Sequence, residues 1–185
     1  MRPSHLSNFV VFGLGLLLLG QLWYRPGRDE TSLPEGLYPG MPVPELDVRR
    51  LAGSSQVSLG HLVGDVTACT LLVIVRPLCP TCARMRVTWP SRFAAWADSV
   101  AAQIQPVWLS VGGHDALEAF VTGYRLQEAG ITLVSVPEGF TSATYDALGV
   151  LGTPTLYLVR PDGTVVAGLI GDRLPPVALA AEACL

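Results

Sequence analysis

Between residues 70 and 75 the chain reads TLLVIV, six apolar or β-branched residues with no polar alternation, closed at once by Arg76-Pro77. A run of this length without a solvent-facing side implies a strand buried on both faces, the position held by the centre of a helix-covered sheet. Whatever surrounds it has to supply helices above and below and further strands beside it. The remaining sequence has the right material in the right order. Short apolar pieces in 48–59 flank Ala52-Gly53-Ser54-Ser55 and predict a hairpin or two small strands. A segment with helical spacing runs from the Cys79 region through Met85, Phe93 and Trp96 to Val100, with Pro90 predicting a kink. An apolar run at 106–111, a helical pattern at 114–128, a second run at 131–136 and a short helix at 142–148 follow. The pattern closes with a strand at 155–159, the turn Pro161-Asp162-Gly163, a strand at 164–170 and a helix from Pro175 onward. Pro presets the backbone angle of that turn and Gly accepts a positive φ, so the last two strands are expected to be antiparallel. The fold class is α/β: parallel strands with crossover helices, ending in an antiparallel hairpin.

The N-terminus has a different character. Residues 9–24 read FVVFGLGLLLLGQLWY, apolar apart from Gln21, and behind them lies a proline- and glycine-rich stretch. No A-x-A pattern follows the leucines, and Trp23 and Tyr24 suit the headgroup belt of a retained helix. The expected organisation is therefore a short N-terminal tail (1–8), a transmembrane anchor (9–24), a linker (25–36) and one folded domain (37–185). Arg2 and the amino terminus compete with Arg25 and Arg28 in setting orientation, so charge counting nearly ties. A redox-type cysteine pair behind an N-terminal anchor places the domain in the periplasm or on the cell exterior.

Of 185 residues half are hydrophobic and 15% are charged, enough apolar material for a real core. The net charge of −3 is dispersed, which removes the electrostatic footprint that binding a phosphate backbone requires, and nucleic acid is not expected as a partner.

Four cysteines are present, and Cys79 and Cys82 have a spacing with chemical meaning. Cysteines at i and i+3 can close a small disulfide, and Pro80 stiffens the intervening Pro80-Thr81 pair. With a buried strand before it and a helix after it, Cys79 falls at a helix N-terminus, where unsatisfied N–H groups and the helix dipole favour a thiolate. A lowered thiol pKa is the expected consequence, with Arg76, Arg84 and Arg86 as nearby positive charge. Cys79 is thus the candidate nucleophile and Cys82 the resolving thiol. A zinc site would need a second cysteine pair or spaced histidines, whereas His5, His61 and His114 are scattered. No metal and no cofactor are expected. Cys69 reads as a small buried hydrophobe, with a Cys69–Cys184 bridge as the alternative. Trp89, Phe93 and Trp96 read as core, His114 as the opening of a helix beside Asp115, and His61 as a surface residue.

Four segments carry a resemblance: Pro39-Gly40-Met41-Pro42-Val43-Pro44, Val57-Ser58-Leu59, Cys79-Pro80-Thr81-Cys82, and Gly152-Thr153-Pro154-Thr155 with its continuation to Gly163. From Leu37 to the C-terminus the chain resembles the thioredoxin superfamily, in particular the membrane-anchored TlpA/ResA-like proteins, with some likeness to MauD-type accessory proteins of methylamine dehydrogenase. The resemblance implies a thioredoxin-like fold with a central mixed sheet flanked by helices. It implies thiol-disulfide oxidoreductase activity on extracytoplasmic protein thiols and disulfides, as in the maturation of cytochrome c or another enzyme, with electrons from a membrane thiol donor. It also implies that Pro154 is cis and that the backbone of Thr153 pairs with extended substrate. Leu78 stands where the family often has Trp. The strand before the motif lacks the family's buried acid, and Pro90 lies further beyond Cys82 than the usual helix proline. Copper delivery or a redox-inactive binding module would be the alternative use of the same pair. Peroxide reduction would call for Thr two or three residues before the reactive cysteine, where Arg76-Pro77-Leu78 stands.

Overall fold

The computed structural model describes residues 37–53, 55–64 and 67–185. The expected tail, anchor and linker at 1–36 lie outside the described residues. Among the described residues no helix is long and apolar enough to cross a membrane.

Among the described residues seven strands form one sheet: β1 (Asp47–Arg50), β2 (Gln56–Ser58), β3 (Cys69–Val75), β4 (Ile104–Ser110), β5 (Thr132–Ser135), β6 (Thr155–Val159) and β7 (Val165–Ile170), in the order β2-β1-β5-β4-β3-β6-β7. The helices are α1 (Leu59–Gly64), α2 (Pro80–Val100), α3 (His114–Val121), α4 (Ser142–Ala147) and α5 (Val177–Cys184). β3, β4 and β5 are parallel, as the crossover pattern requires, and β6 and β7 return antiparallel beside β3. β1 and β2 form the small antiparallel pair expected in 48–59, with β1 docked on β5.

The sheet's period of two sorts the core into two layers. Leu71, Val73 and Val75 face a cluster that includes Cys82, Met85, Trp89, Phe93 and Trp96 of α2 and Leu117 and Phe120 of α3. Leu72 and Ile74 face the opposite cluster, with Leu59, Leu62 and Val63 of α1, Leu148 and the entry residues Leu37 and Val43. All seven residues of β3 are buried, which is why its sequence shows no alternation. Trp89 stacks on Phe93 with ring centroids 4.7 Å apart and meets Trp108 edge-on at 5.4 Å, so these aromatics are core.

Pro90 lies inside α2, which runs on to Val100 as the helical spacing predicts. One boundary differs from the sequence reading. The helix predicted over 114–128 stops at Val121, because Gly123 takes a φ of +81° and the chain reaches Gly130 through tight turns. Leu126 is buried from this turn segment, which preserves the apolar periodicity that made the region look helical.

The C-terminal hairpin turns where expected. Gly163 has a φ of +81°, its N–H donates to Arg160 O at 2.9 Å, and the Thr164 N–H donates to Asp162 Oδ1 at 2.9 Å. The entry segment fastens onto this hairpin through Gly40 N to Val165 O, Val165 N to Met41 O and Val43 N to Gly163 O. Hydrogen bonding therefore ties residues 40–43 to the β6–β7 hairpin.

Cys69 is fully buried, as a small hydrophobe would be, but it is not a free thiol. It is bonded to Cys184 with an S–S distance of 2.07 Å and a Cα–Cα distance of 5.6 Å. The alternative reading is the one observed: the first residue of β3 is joined to the last residue of α5.

Candidate functional site

The site lies at the C-terminal end of β3. The strand stops at Val75, the Cys79 N–H closes a turn onto Arg76 O at 3.0 Å, and Pro80 begins α2. Pro suits this first helical position because its missing N–H would have no partner there. Cys79 is the N-cap of α2, with extended backbone at φ −81° and ψ 122°. Its sulfur sits where a serine or aspartate oxygen caps other helices and accepts from the Cys82 N–H at 3.4 Å.

The two thiols are free and occupy unlike environments. Cys79 is partly exposed. Burial acts against its anion, but the backbone N–H groups of Cys82 and Thr81, the Cys82 thiol and the Thr153 side chain outweigh it, and the Cys79 thiol lies below the ordinary cysteine value. Cys82 is fully buried among Met85, Trp89 and the β3 side chains. Burial, joined by the neighbouring Cys79, pushes its thiol up to about 12. The pair is thus split into an accessible, ionisable sulfur and a sheltered, protonated one.

Opposite them stands the loop before β6. The Thr153–Pro154 peptide is cis, as the resemblance implies. Cys79 Sγ donates to Thr153 O at 3.2 Å. The loop is braced from behind, since Thr155 Oγ1 donates to Gly152 O at 2.6 Å and the Gly171 N–H donates to Pro154 O at 2.8 Å. The structure therefore brings together Cys79, Pro80, Thr81 and Cys82 with Thr153 and Pro154, segments more than 70 residues apart in sequence.

The three candidate arginines separate. Arg86 turns to α3, donating to Phe120 O and lying over the Phe120 and Tyr124 rings at 4.9 and 4.1 Å. Arg84 donates to Thr81 Oγ1 at 3.2 Å. Arg76 donates to Tyr145 Oη at 3.0 Å, and its charge is felt by both sulfurs: hydrogen bonding and charge interaction with Tyr145 raise its pKa most, and Cys79 and Cys82 add to that. Tyr145 packs edge-on against Phe140 at 5.2 Å, which holds it in place for Arg76. Sequence reasoning did not find Tyr145, because nothing local in 142–147 marks it as a partner of residue 76.

Two large apolar side chains stand in solvent next to these segments. Leu78, beside Cys79, is 92% exposed, and Leu151, two residues before Thr153, is 71% exposed. The histidines lie elsewhere: His114 begins α3 and its Nδ1 is 3.4 Å from Ser135 Oγ, while His61 is an exposed residue of α1.

The same arrangement of sheet and helices occurs in solved structures. A thiol:disulfide interchange protein, DsbE, from Chlorobium tepidum superposes with a TM-score of 0.56 at 22% identity, covering 80% of this chain and 94% of that one. The fold is thioredoxin-like. The thioredoxin domain of a thiol-disulfide oxidoreductase from Bacteroides vulgatus superposes on this thioredoxin-like domain with a TM-score of 0.57 at 17% identity, covering 80% and 95% of the two chains. A peroxiredoxin-like protein from Aquifex aeolicus is similar as well, with a TM-score of 0.54 at 16% identity and coverage of 74% and 78%. No family model and no curated protein matches the sequence. Disulfide-exchange and peroxiredoxin-like proteins thus share the thioredoxin-like fold, and the chemistry has to be argued from the residues at the site.

Proposed function

We propose that the chain is a membrane-tethered thiol-disulfide oxidoreductase that reduces or isomerises disulfides of extracytoplasmic proteins, as in the maturation of cytochrome c or another enzyme. The observation that carries this reading is the split of the pair: a partly exposed Cys79 with a lowered pKa capping α2, and a buried Cys82 raised to about 12, both facing the Thr153–Pro154 loop.

The reaction follows from that asymmetry. The Cys79 thiolate attacks one sulfur of a substrate disulfide; the substrate S–S bond breaks, a Cys79–substrate bond forms, and the other substrate sulfur leaves as a thiolate. Forming the mixed disulfide removes the Cys79 anion, and with it the Cys79 contribution that holds the Cys82 pKa up. Cys82 then attacks Cys79 Sγ as its proton passes to the departing substrate sulfur, which leaves as the second thiol, and Cys79–Cys82 is left oxidised. Two electrons have passed to the substrate, and a thiol donor at the membrane would restore the pair. Thr153, beside the reacting sulfur, is the natural main-chain partner for an extended substrate segment.

The placement rests on the apolar run at 9–24 and on the Cys69–Cys184 disulfide, a kind of bond that persists in oxidising compartments. Metal delivery is less well supported, since among the described residues no three His, Cys, Asp or Glu side chains gather as a ligand set. Peroxide reduction is disfavoured by Arg76-Pro77-Leu78 in the positions where a threonine would be wanted.

The test is trapping in the full chain. Cys82→Ser should accumulate a mixed disulfide with an extracytoplasmic protein and with a model protein disulfide, and Cys79→Ser should accumulate none. Absence of any mixed disulfide, together with a Cys79 that alkylates at the pH of an ordinary thiol, would falsify the reading.

A further inference from the structure

We propose that Cys69–Cys184 is a redox latch: a second cysteine pair, outside the exchange site, whose reduction by a dithiol releases the C-terminal helix from an otherwise folded domain. The proposal starts from how little else holds α5. Its sequence is VALAAEAC, and only Ala180 is fully buried; Ala181, Ala183 and Cys184 pack partly against the core, Val177 is 39% exposed, and Leu185 beyond the helix is 86% exposed. Alanines bury little apolar area, so docking through them is worth little. The helix is eight residues long and begins at Pro176 without a side-chain cap. A helix so short does not persist alone in water.

The segment leading into the helix is fastened independently. Arg92 Nη1 meets Asp172 Oδ2 at 3.1 Å, Arg92 Nη2 donates to Asp172 O at 3.0 Å, and Trp96 Nε1 donates to Pro175 O at 2.8 Å. These bonds pin 172–175 to α2, and Pro175-Pro176 stiffens the exit. The release point is therefore defined: residues up to 175 stay on α2, and 177–185 depend on the disulfide.

The two sulfurs differ in access. Cys69 is fully buried, while Cys184 is half-buried, so a reductant meets Cys184 first. A thiolate of a dithiol attacks Cys184 Sγ, breaking the S–S bond and displacing the Cys69 sulfur, which takes up a proton. The reductant's second thiol then closes its own disulfide and frees the Cys184 thiol. Two electrons and two protons pass to the protein, and the dithiol is oxidised. Release uncovers apolar surface of α2, against which α5 packs.

The experiment uses the full chain with Cys79→Ser and Cys82→Ser, so that the latch is the sole responsive pair, beside the wild type. A dithiol such as dithiothreitol is added, cysteine alkylation is counted by mass, and amide hydrogen exchange is followed by peptide. Alkylation of Cys69 and Cys184 with reductant alone, and exchange in 177–184 rising on the order of a hundredfold, the factor a disulfide's usual worth implies, supports the latch. Exchange in β3 and β4 should stay unchanged. The proposal is overturned if both cysteines alkylate without reductant or neither does with it. It is equally overturned if α5 stays protected after reduction, or if the whole sheet loses protection with it. A full chain carrying Cys184→Ala gives the same readout without reductant: a folded sheet with an exchanging 177–184 supports the latch, and a protected one overturns it.

Discussion

The thiol of Cys79 donates to the carbonyl of Thr153 across 3.2 Å, so the candidate nucleophile is paired in its resting, protonated form with the main chain of the loop expected to bind substrate. Ionisation breaks that bond, because a thiolate has no proton to give and a carbonyl oxygen repels it. The Cys82 and Thr81 N–H groups then carry the anion's stabilisation. Loss of the thiol proton thus also frees the Thr153 carbonyl to accept from a substrate N–H.

The first expected outcome concerns pH. Cys79 should react with iodoacetamide at a pH where an ordinary thiol is still mostly protonated, while Cys82, raised to about 12, should stay unmodified through neutral pH. Rapid alkylation followed by peptide mass analysis separates the two. If Cys82 reacted first, the assigned roles would be reversed.

The same shifts govern stability. Cys82 has a folded pKa above its unfolded one, so the reduced domain keeps the corresponding stabilisation below the ordinary thiol range and loses it as pH rises towards about 12. Cys79 has the opposite sign: its contribution is present above the ordinary thiol range and disappears as pH falls through its lowered value. Denaturant melts of the reduced chain should therefore lose stability on the alkaline side, and Cys82→Ala should remove most of that dependence. A slope unchanged by Cys82→Ala would refute the assignment.

Much of the fold was legible because its signals are local. The unbroken apolarity of Thr70–Val75 reports burial on both faces of β3, and Pro161-Asp162-Gly163 dictates the β6–β7 turn. The motif's place between strand and helix likewise put Cys79 at the N-cap of α2. Contacts between distant residues were harder to read. Arg76 with Tyr145 spans 69 residues and left no local trace, while Cys69 with Cys184 spans 115 and stood only as the alternative reading. The second of these had a signal, since two leftover cysteines make an even pair. The excess length of the helix predicted over 114–128 has a different cause: Leu126 keeps the helical spacing although Gly123 has already turned the backbone.

Removing the Arg76 charge tests its electrostatic part. Arg76 is exposed, held by Tyr145 and coupled to the Cys79 charge, so Arg76→Met should raise the Cys79 pKa at low ionic strength, as expected for removal of a solvent-screened charge. Tyr145→Phe should move it in the same direction by less, and added salt should shrink both differences. Thiolate absorbance near 240 nm, titrated at two salt concentrations, checks this. An equal shift at high and low salt would point to a structural cause instead.

Trp89 provides a stability test away from the sulfurs' own chemistry. It is fully buried, stacked on Phe93 and edge-on to Trp108. Trp89→Ala should cost about 3–5 kcal/mol, the usual range for deleting a large buried aromatic, read as a shift in denaturant midpoint. A loss below about 1 kcal/mol would mean that this part of the core is not packed as described.

Leu78 and Leu151 separate binding of a protein substrate from the exchange chemistry. Both are large, apolar and mostly exposed beside the reactive segments, so their replacement leaves the core intact. A polypeptide lying across Cys79 and Thr153 would cover them, whereas a small disulfide would touch neither. Leu78→Asp with Leu151→Asp should therefore lower kcat/KM for a protein disulfide by roughly tenfold or more, since burying a leucine is worth about 1.5–3 kcal/mol. The rate with a small disulfide such as 5,5′-dithiobis(2-nitrobenzoate), which is anionic, should be compared at high salt, where the added carboxylates are screened. Equal losses on both substrates would place the effect on the Cys79 thiolate, while a loss confined to the protein substrate would assign the two leucines to its recognition.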